Sequence, residues 1–111
     1  MIYIKVIRNS NQLVESVTVT GHAEYDEPGK DIVCAGVSAV TFGAANAVEK
    51  LCGVALKVEQ GESGFLRFIL PMNVDSSMNE KIQLLIEGML VSLKTIEISY
   101  SDFINIQTKI V

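Results

Sequence analysis

The only histidine of this 111-residue chain, His22, is followed by Asp31 and Cys34, and Ser38 comes four residues after the cysteine. A thiol attacks a carbonyl as its thiolate, and an ordinary thiol is only a few per cent ionised near neutral pH. Cysteine chemistry on an amide therefore needs one group that stabilises the anion and one that holds a proton for the departing amine. A single imidazolium can do both. Zinc uses the same residue types, but a site of His22, Cys34 and a carboxylate has no second Cys or His nearby. Gly29-Lys30-Asp31 lacks the glycine framework of a phosphate loop. No metal and no cofactor is expected.

These groups lie in the stretch Gly21 to Ala39, GHAEYDEPGKDIVCAGVSA. An alternating, strand-like run ends at Gly21, and a long helical pattern begins after Asp31. Asp31 is a good N-cap, because its carboxylate can accept from the backbone N–H three residues on, that of Cys34. Cys34 then sits in the first helical turn, where the helix end stabilises an anion by about 0.3–1 kcal/mol. That is too little for full ionisation, so His22 carries the larger share. Backbone N–H groups at the helix start, that of Cys34 included, are candidate oxyanion donors. Asp31 is expected either to orient the imidazole or only to cap the helix. Ser38, one turn below Cys34, is placed to donate to the thiolate or to a substrate. The connection from His22 to Lys30 exceeds the usual four to six or so residues. Gly21 and Gly29 flank it as hinges, with Pro28 beside Gly29, and Tyr25 is expected to pack over the loop in preference to touching a substrate.

The supporting elements follow from periodicity. Ile2 to Arg8 alternates, with Ile2, Ile4 and Val6 on one face, and Leu13 to Thr20 resumes the alternation after an Asn9-Ser10-Asn11 turn; together they predict a hairpin. On the helix after Asp31, Val33, Val37, Val40, Ala44 and Leu51 form the core stripe, with Cys34, Ser38, Thr41 and Ala45 on a more polar edge. Ala35, Ala39 and Phe42 add an apolar flank that a second helix or another subunit must cover. Gly53 ends the helix. Ala55 to Gln60 and Phe65 to Leu70 make a second hairpin across Gly61-Glu62-Ser63-Gly64, closed by Pro71. Ser77-Met78-Asn79-Glu80 has the form of a capping box, and Ile82, Leu85, Ile86, Met89, Leu93 and Ile96 repeat at helical spacing behind it. Ile104 to Ile110 is a closing strand. The order ββαββαβ predicts an α+β two-layer sandwich, about five mostly antiparallel strands with two helices on one face, in a single domain over residues 1–111.

Composition narrows the class. Hydrophobic residues make up 49% and charged residues 20%, and the net charge is −4, an ordinary soluble profile. Without a lysine or arginine cluster, direct nucleic-acid binding is not expected. The uncharged run Ile32 to Val48 is shorter than the 20 or so apolar residues of a span and contains Gly36, Ser38, Thr41, Gly43 and Asn46, so it reads as a buried helix rather than a membrane segment. The N-terminal run has no signal-peptide core, which places the protein in the cytoplasm. Two cysteines do not make a disulfide scaffold; Cys34 is expected to be a free thiol and Cys52 a small residue at the helix end.

The pattern G-H-A, a loop, then D-I-V-C-A-G-V-S-A resembles the signature of the ribosomal-processing cysteine protease family, Prp, and the element order agrees along the chain. The resemblance implies a bacterial endopeptidase that removes the N-terminal extension of a large-subunit ribosomal protein after a hydrophobic segment. Its catalytic pair falls on His22 and Cys34, and its nearby Asp and Ser fall on Asp31 and Ser38. It also implies a homodimer, for which the apolar flank gives an independent reason. The alternative is a noncatalytic ribosome-assembly or peptide-binding module whose thiol is incidental or redox-sensing.

Overall fold

A computed structural model describes residues 1–27, 29–62 and 64–111; Pro28 and Ser63, assigned to the two loops, lie outside the described residues. The elements are β1 (Ile2–Arg8), β2 (Val14–Gly21), α1 (Ile32–Cys52), β3 (Lys57–Gly61), β4 (Phe65–Ile69), α2 (Ser76–Ser99) and β5 (Ile104–Ile110). They form one five-stranded sheet in the order β3-β4-β2-β1-β5. Every neighbour pair is antiparallel except β1 with β5, which is parallel. The α+β architecture expected from the sequence is the one observed.

Strand alternation sets the two faces. Val6 pairs with Val17 and Ile4 with Val19, and on the other side of β2 these meet Phe68 and Leu66. All six are buried with Ile82, Ile86 and Leu93 of α2 in one core. At the far end of the hairpin the register slips between Ile7 and Arg8, which pairs with Val14. The Gln83 side chain seals this bulge. Its Oε1 accepts from Val14 N and its Nε2 donates to Val14 O, both at 2.9 Å, so a buried polar group is fully paired.

Two details of the helices differ from the sequence reading. On α1 the buried residues are Val33, Val37, Thr41 and Val48, while Leu51 is 72% exposed. The stripe is rotated toward Thr41, whose hydroxyl donates to the Val37 carbonyl at 2.8 Å and so enters the core without an unpaired group. Leu51, in the last turn, is left at the margin. On α2 the cap is Asp75, which accepts from Met78 N at 2.8 Å. Ser77 is therefore inside the helix rather than at its head: the helix starts two residues earlier, and the Glu80 N–H that the serine would have served already lies within it. The second hairpin is also shorter at both ends than expected, Ala55 and Leu70 falling outside its strands.

α1 is long and apolar enough to cross a membrane by length and composition alone, yet Val33, Val37, Thr41 and Val48 pack it into the core. α2 covers part of its remaining surface, where Ile96 Cδ1 approaches Gly36. Ile32, Ala35, Ala39 and Phe42 stay exposed.

Candidate active site

The strand–loop–helix passage from β2 to α1 brings the sequence candidates to one end of the sheet. His22, Cys34 and Ser38 line a single cleft of about 230 Å³. Its apolar wall comes from Val19, Val37, Phe42, Phe65 and Leu66, and Thr41 and Gln60 add polar edges. Cys34 is a free, half-buried thiol. Its sulfur accepts a hydrogen bond from the Ala23 N–H at 3.4 Å, which ties the residue after His22 to the thiol.

Asp31 does more than cap. Oδ1 accepts from Val33 N and Cys34 N, each at 3.0 Å, and Oδ2 accepts from Tyr25 N at 2.9 Å and Asp26 N at 3.3 Å. Burial by itself would raise this carboxyl, but the four N–H donors outweigh it and hold the group below the ordinary carboxylate range. One side chain thus ties the helix head to the middle of the loop. Both oxygens are committed to backbone donors, so the carboxylate is tied to the loop and the helix head rather than to the His22 ring. The same geometry corrects another expectation: the Cys34 N–H is spent on Asp31 and is not free for an oxyanion.

Tyr25 packs as the sequence suggested. Its ring meets Tyr100 and Phe103 edge to face, at centroid distances of 5.6 and 5.1 Å. The loop is therefore held at Tyr25 against the α2–β5 turn and at Asp31 against α1.

Of the two hinge candidates, Gly21 is pinned. Its N–H donates to Gly64 O at 2.9 Å, and with φ of +86° a Cβ there would strike the Met1 carbonyl oxygen. Gly29, at φ +87°, has open space around it. Gly64, read from the sequence only as part of the second hairpin's turn, is the residue against which the imidazole lies. A Cβ on it would lie 3.0 Å from His22 Nε2 and 2.5 Å from Gly21 O. Only the register of β2 against β4, with Thr20 opposite Phe65, brings that turn beside His22, and spacing along the chain carries no such signal.

Asp31→Asn offers a direct check on the tether. The amide retains one acceptor oxygen in place of two, so cleavage at neutral pH should fall about tenfold if the loop positions His22. The pH dependence has a definite sign. A carboxyl whose folded pKa is depressed stabilises the fold above its unfolded pKa, near about 4, and loses that contribution as pH falls through the folded value. Urea midpoints from pH 6 to pH 3 should accordingly fall less steeply for Asp31→Asn than for the wild type. Identical slopes would show that the carboxylate is not the group responsible.

A free thiol at a helix head, sharing an apolar-walled cleft with an imidazole on a two-layer α+β frame, is the architecture of a small thiol-dependent hydrolase. The comparisons narrow this class. The chain belongs to the Prp family of cysteine proteases: the family model described as cysteine protease Prp matches residues 1–105. The ribosomal processing cysteine protease Prp of Bacillus subtilis (strain 168) is 45% identical over 112 residues, covering all of both chains. A crystal structure of the essential ribosomal processing protease Prp from S. aureus, in complex with a covalently linked product peptide, superposes with a TM-score of 0.87 at 36% identity. It covers 98% of this chain and 100% of that one. The same protease in complex with a substrate peptide gives a TM-score of 0.82 at 34% identity, with the same coverage. The element order matches in these structures, and the enzyme class is that of a cysteine protease.

Proposed function

We propose that this protein is the endopeptidase that removes the N-terminal extension of a bacterial large-subunit ribosomal protein, with Cys34 as nucleophile and His22 as general acid and base. The observation that carries the reading is the placement of the Cys34 sulfur at the head of α1 in the same cleft as His22, with the Ala23 N–H donated to it. The Cys34 thiolate forms a bond to the scissile carbonyl carbon, and the C–N bond breaks as His22 protonates the departing amine. His22 then takes a proton from water as the hydroxide adds to the thioester carbon; the C–S bond breaks, the carboxylate product leaves and the Cys34 thiolate is regenerated beside the protonated His22. Asp31 fixes the loop that carries His22, and Ser38 faces the substrate from one turn below. Gly29 is the hinge that lets the loop admit an extended peptide, and no metal takes part.

The protein acts in the cytoplasm, as one domain, where ribosomal proteins are made. It works as a homodimer joined through the exposed apolar flank of α1. Sedimentation at micromolar concentration tests this: the wild type should run as a dimer, and Ala39→Glu should shift it to monomer, whereas an unchanged monomer for the wild type would reject the interface. The central experiment incubates the protein with a peptide spanning the ribosomal extension and follows products by mass. A single cut after the hydrophobic segment is expected, and an intact peptide after prolonged incubation would reject the assignment.

A further inference from the structure

The two helices cover one face of the sheet, and the other face carries a pattern of which only Phe65 borders the peptidase cleft. Register places its side chains in three rows. Phe65, Thr20, Tyr3 and Asn105 form one row, and Glu59, Arg67, Thr18, Lys5 and Gln107 form the next. The third row is Lys57, Ile69, Ser16, Ile7 and Lys109. Four basic side chains thus face one way with Glu59 among them, and Glu15 stands at the bulged margin. That is a net +2 on a chain of −4, leaving five basic against eleven acidic residues, −6, for the rest of the molecule. The low overall charge conceals a strongly divided surface.

Aromatic groups sit within the basic field. Tyr3 is 56% exposed, and the Arg67 guanidinium lies over the Phe65 ring, 5.2 Å from its centroid. Beside them Lys5, Arg67 and Thr18 line a groove of about 780 Å³ together with Glu15, Pro71 and Met72. Met72 is 89% exposed. Flat rings with cations at the spacing of adjacent strands, next to a groove with room for a nucleobase and more, suit a polyanion that also stacks.

We propose that the open face of the sheet is a second binding site, for single-stranded RNA. Phosphates lie over Lys5, Lys57, Arg67 and Lys109, a base stacks on Tyr3, and a neighbouring base enters the groove. An acidic polypeptide would satisfy the charges but leave Tyr3 and the groove without a partner. A second copy fits worse, because two basic faces repel and the apolar flank of α1 offers a copy a better surface. The choice of RNA over DNA rests on the proposed role in ribosomal protein processing; the anionic, stacking site itself does not.

The test is fluorescence anisotropy of a labelled twelve-uridine RNA with the full chain, across a salt series. Saturable binding is expected, weakening with salt by a slope of about 0.7 per neutralised phosphate. Lys5→Ala with Lys109→Ala should weaken binding about tenfold and reduce that slope by about 1.4. Tyr3→Ala should weaken it about fivefold or more with the slope unchanged, since stacking is not ionic. All three substitutions lie outside the cleft and should leave the rate of peptide cleavage at the wild-type value. Absence of saturable binding, binding that the substitutions do not alter, or equal competition by polyglutamate or oligo-thymidine overturns the proposal. If the peptidase reading fails instead, the peptide stays uncut while RNA binding persists, so the two failures are distinguishable.

Discussion

Cys34→Ala should abolish cleavage of the ribosomal extension peptide, lowering kcat by at least about 10⁴-fold while leaving peptide binding within a fewfold of the wild type. Removal of a covalent nucleophile leaves only binding and residual polar stabilisation, and such losses are of this order. The apolar wall of Val37, Phe42, Phe65 and Leu66 does not depend on the sulfur, so Cys34→Ala should retain the substrate and compete with the wild type for it. His22→Ala should cost about 10²–10⁴-fold, the usual contribution of a positioned acid–base group. Thiol alkylation separates the two roles. If His22 stabilises the sulfur anion, iodoacetamide should modify Cys34 about tenfold more slowly at pH 6.5 in His22→Ala than in the wild type. Cys52 lies elsewhere and supplies the internal reference for alkylation, read by peptide mapping. Normal cleavage by Cys34→Ala would remove the sulfur from the mechanism altogether.

How much of this was legible from residues alone divides along a physical line. Period-2 alternation in Ile2–Arg8 and the 3.6 repeat of Ile82, Ile86, Met89 and Leu93 report burial directly, so the elements and the two-layer arrangement could be read. Asp31 was readable as a cap because its partner, the Cys34 N–H, is three residues away. Its second pair of bonds, to Tyr25 and Asp26, runs back across the loop, and no local rule anticipates them. Thr41 was assigned to the polar edge because a hydroxyl counts as polar until its bond to Val37 O is known. The parallel pairing of β1 with β5 and the contact of Gly64 with His22 depend on strand order, which joins residues far apart in the chain. Net charge is silent in a similar way, since −4 is a sum over surfaces that the sheet separates. Local chemistry is written locally; what the fold brings together is not.

Gly64 gives the sharpest test of that last kind of contact. At φ +79° a non-glycine residue pays about 1–2 kcal/mol for the left-handed backbone alone. The added Cβ would also stand 2.5 Å from Gly21 O, which is backbone and cannot swing aside, and 3.0 Å from His22 Nε2. Relief requires the β3–β4 turn to withdraw, and with it goes the Gly21 N–H bond to Gly64 O. Gly64→Ala should therefore lose about 2–5 kcal/mol in all once overpacking is added, a fall in Tm of roughly 10 °C or more. Its folded fraction should cleave about tenfold to a hundredfold more slowly, with kcat changed more than KM, because a displacement of the imidazole by about 1 Å is costly. Gly29→Ala is the matched comparison. Its φ of +87° imposes the same backbone strain, but among the described residues nothing lies within 4 Å of the new methyl. The difference between the two substitutions in Tm isolates the collision; Gly29 as the loop hinge acts on substrate admission and so on KM, which leaves the difference in kcat to report the support that the turn gives the ring. Equal effects of the two on both quantities would mean that His22 is held by its own loop alone and that the second hairpin has no part in placing it.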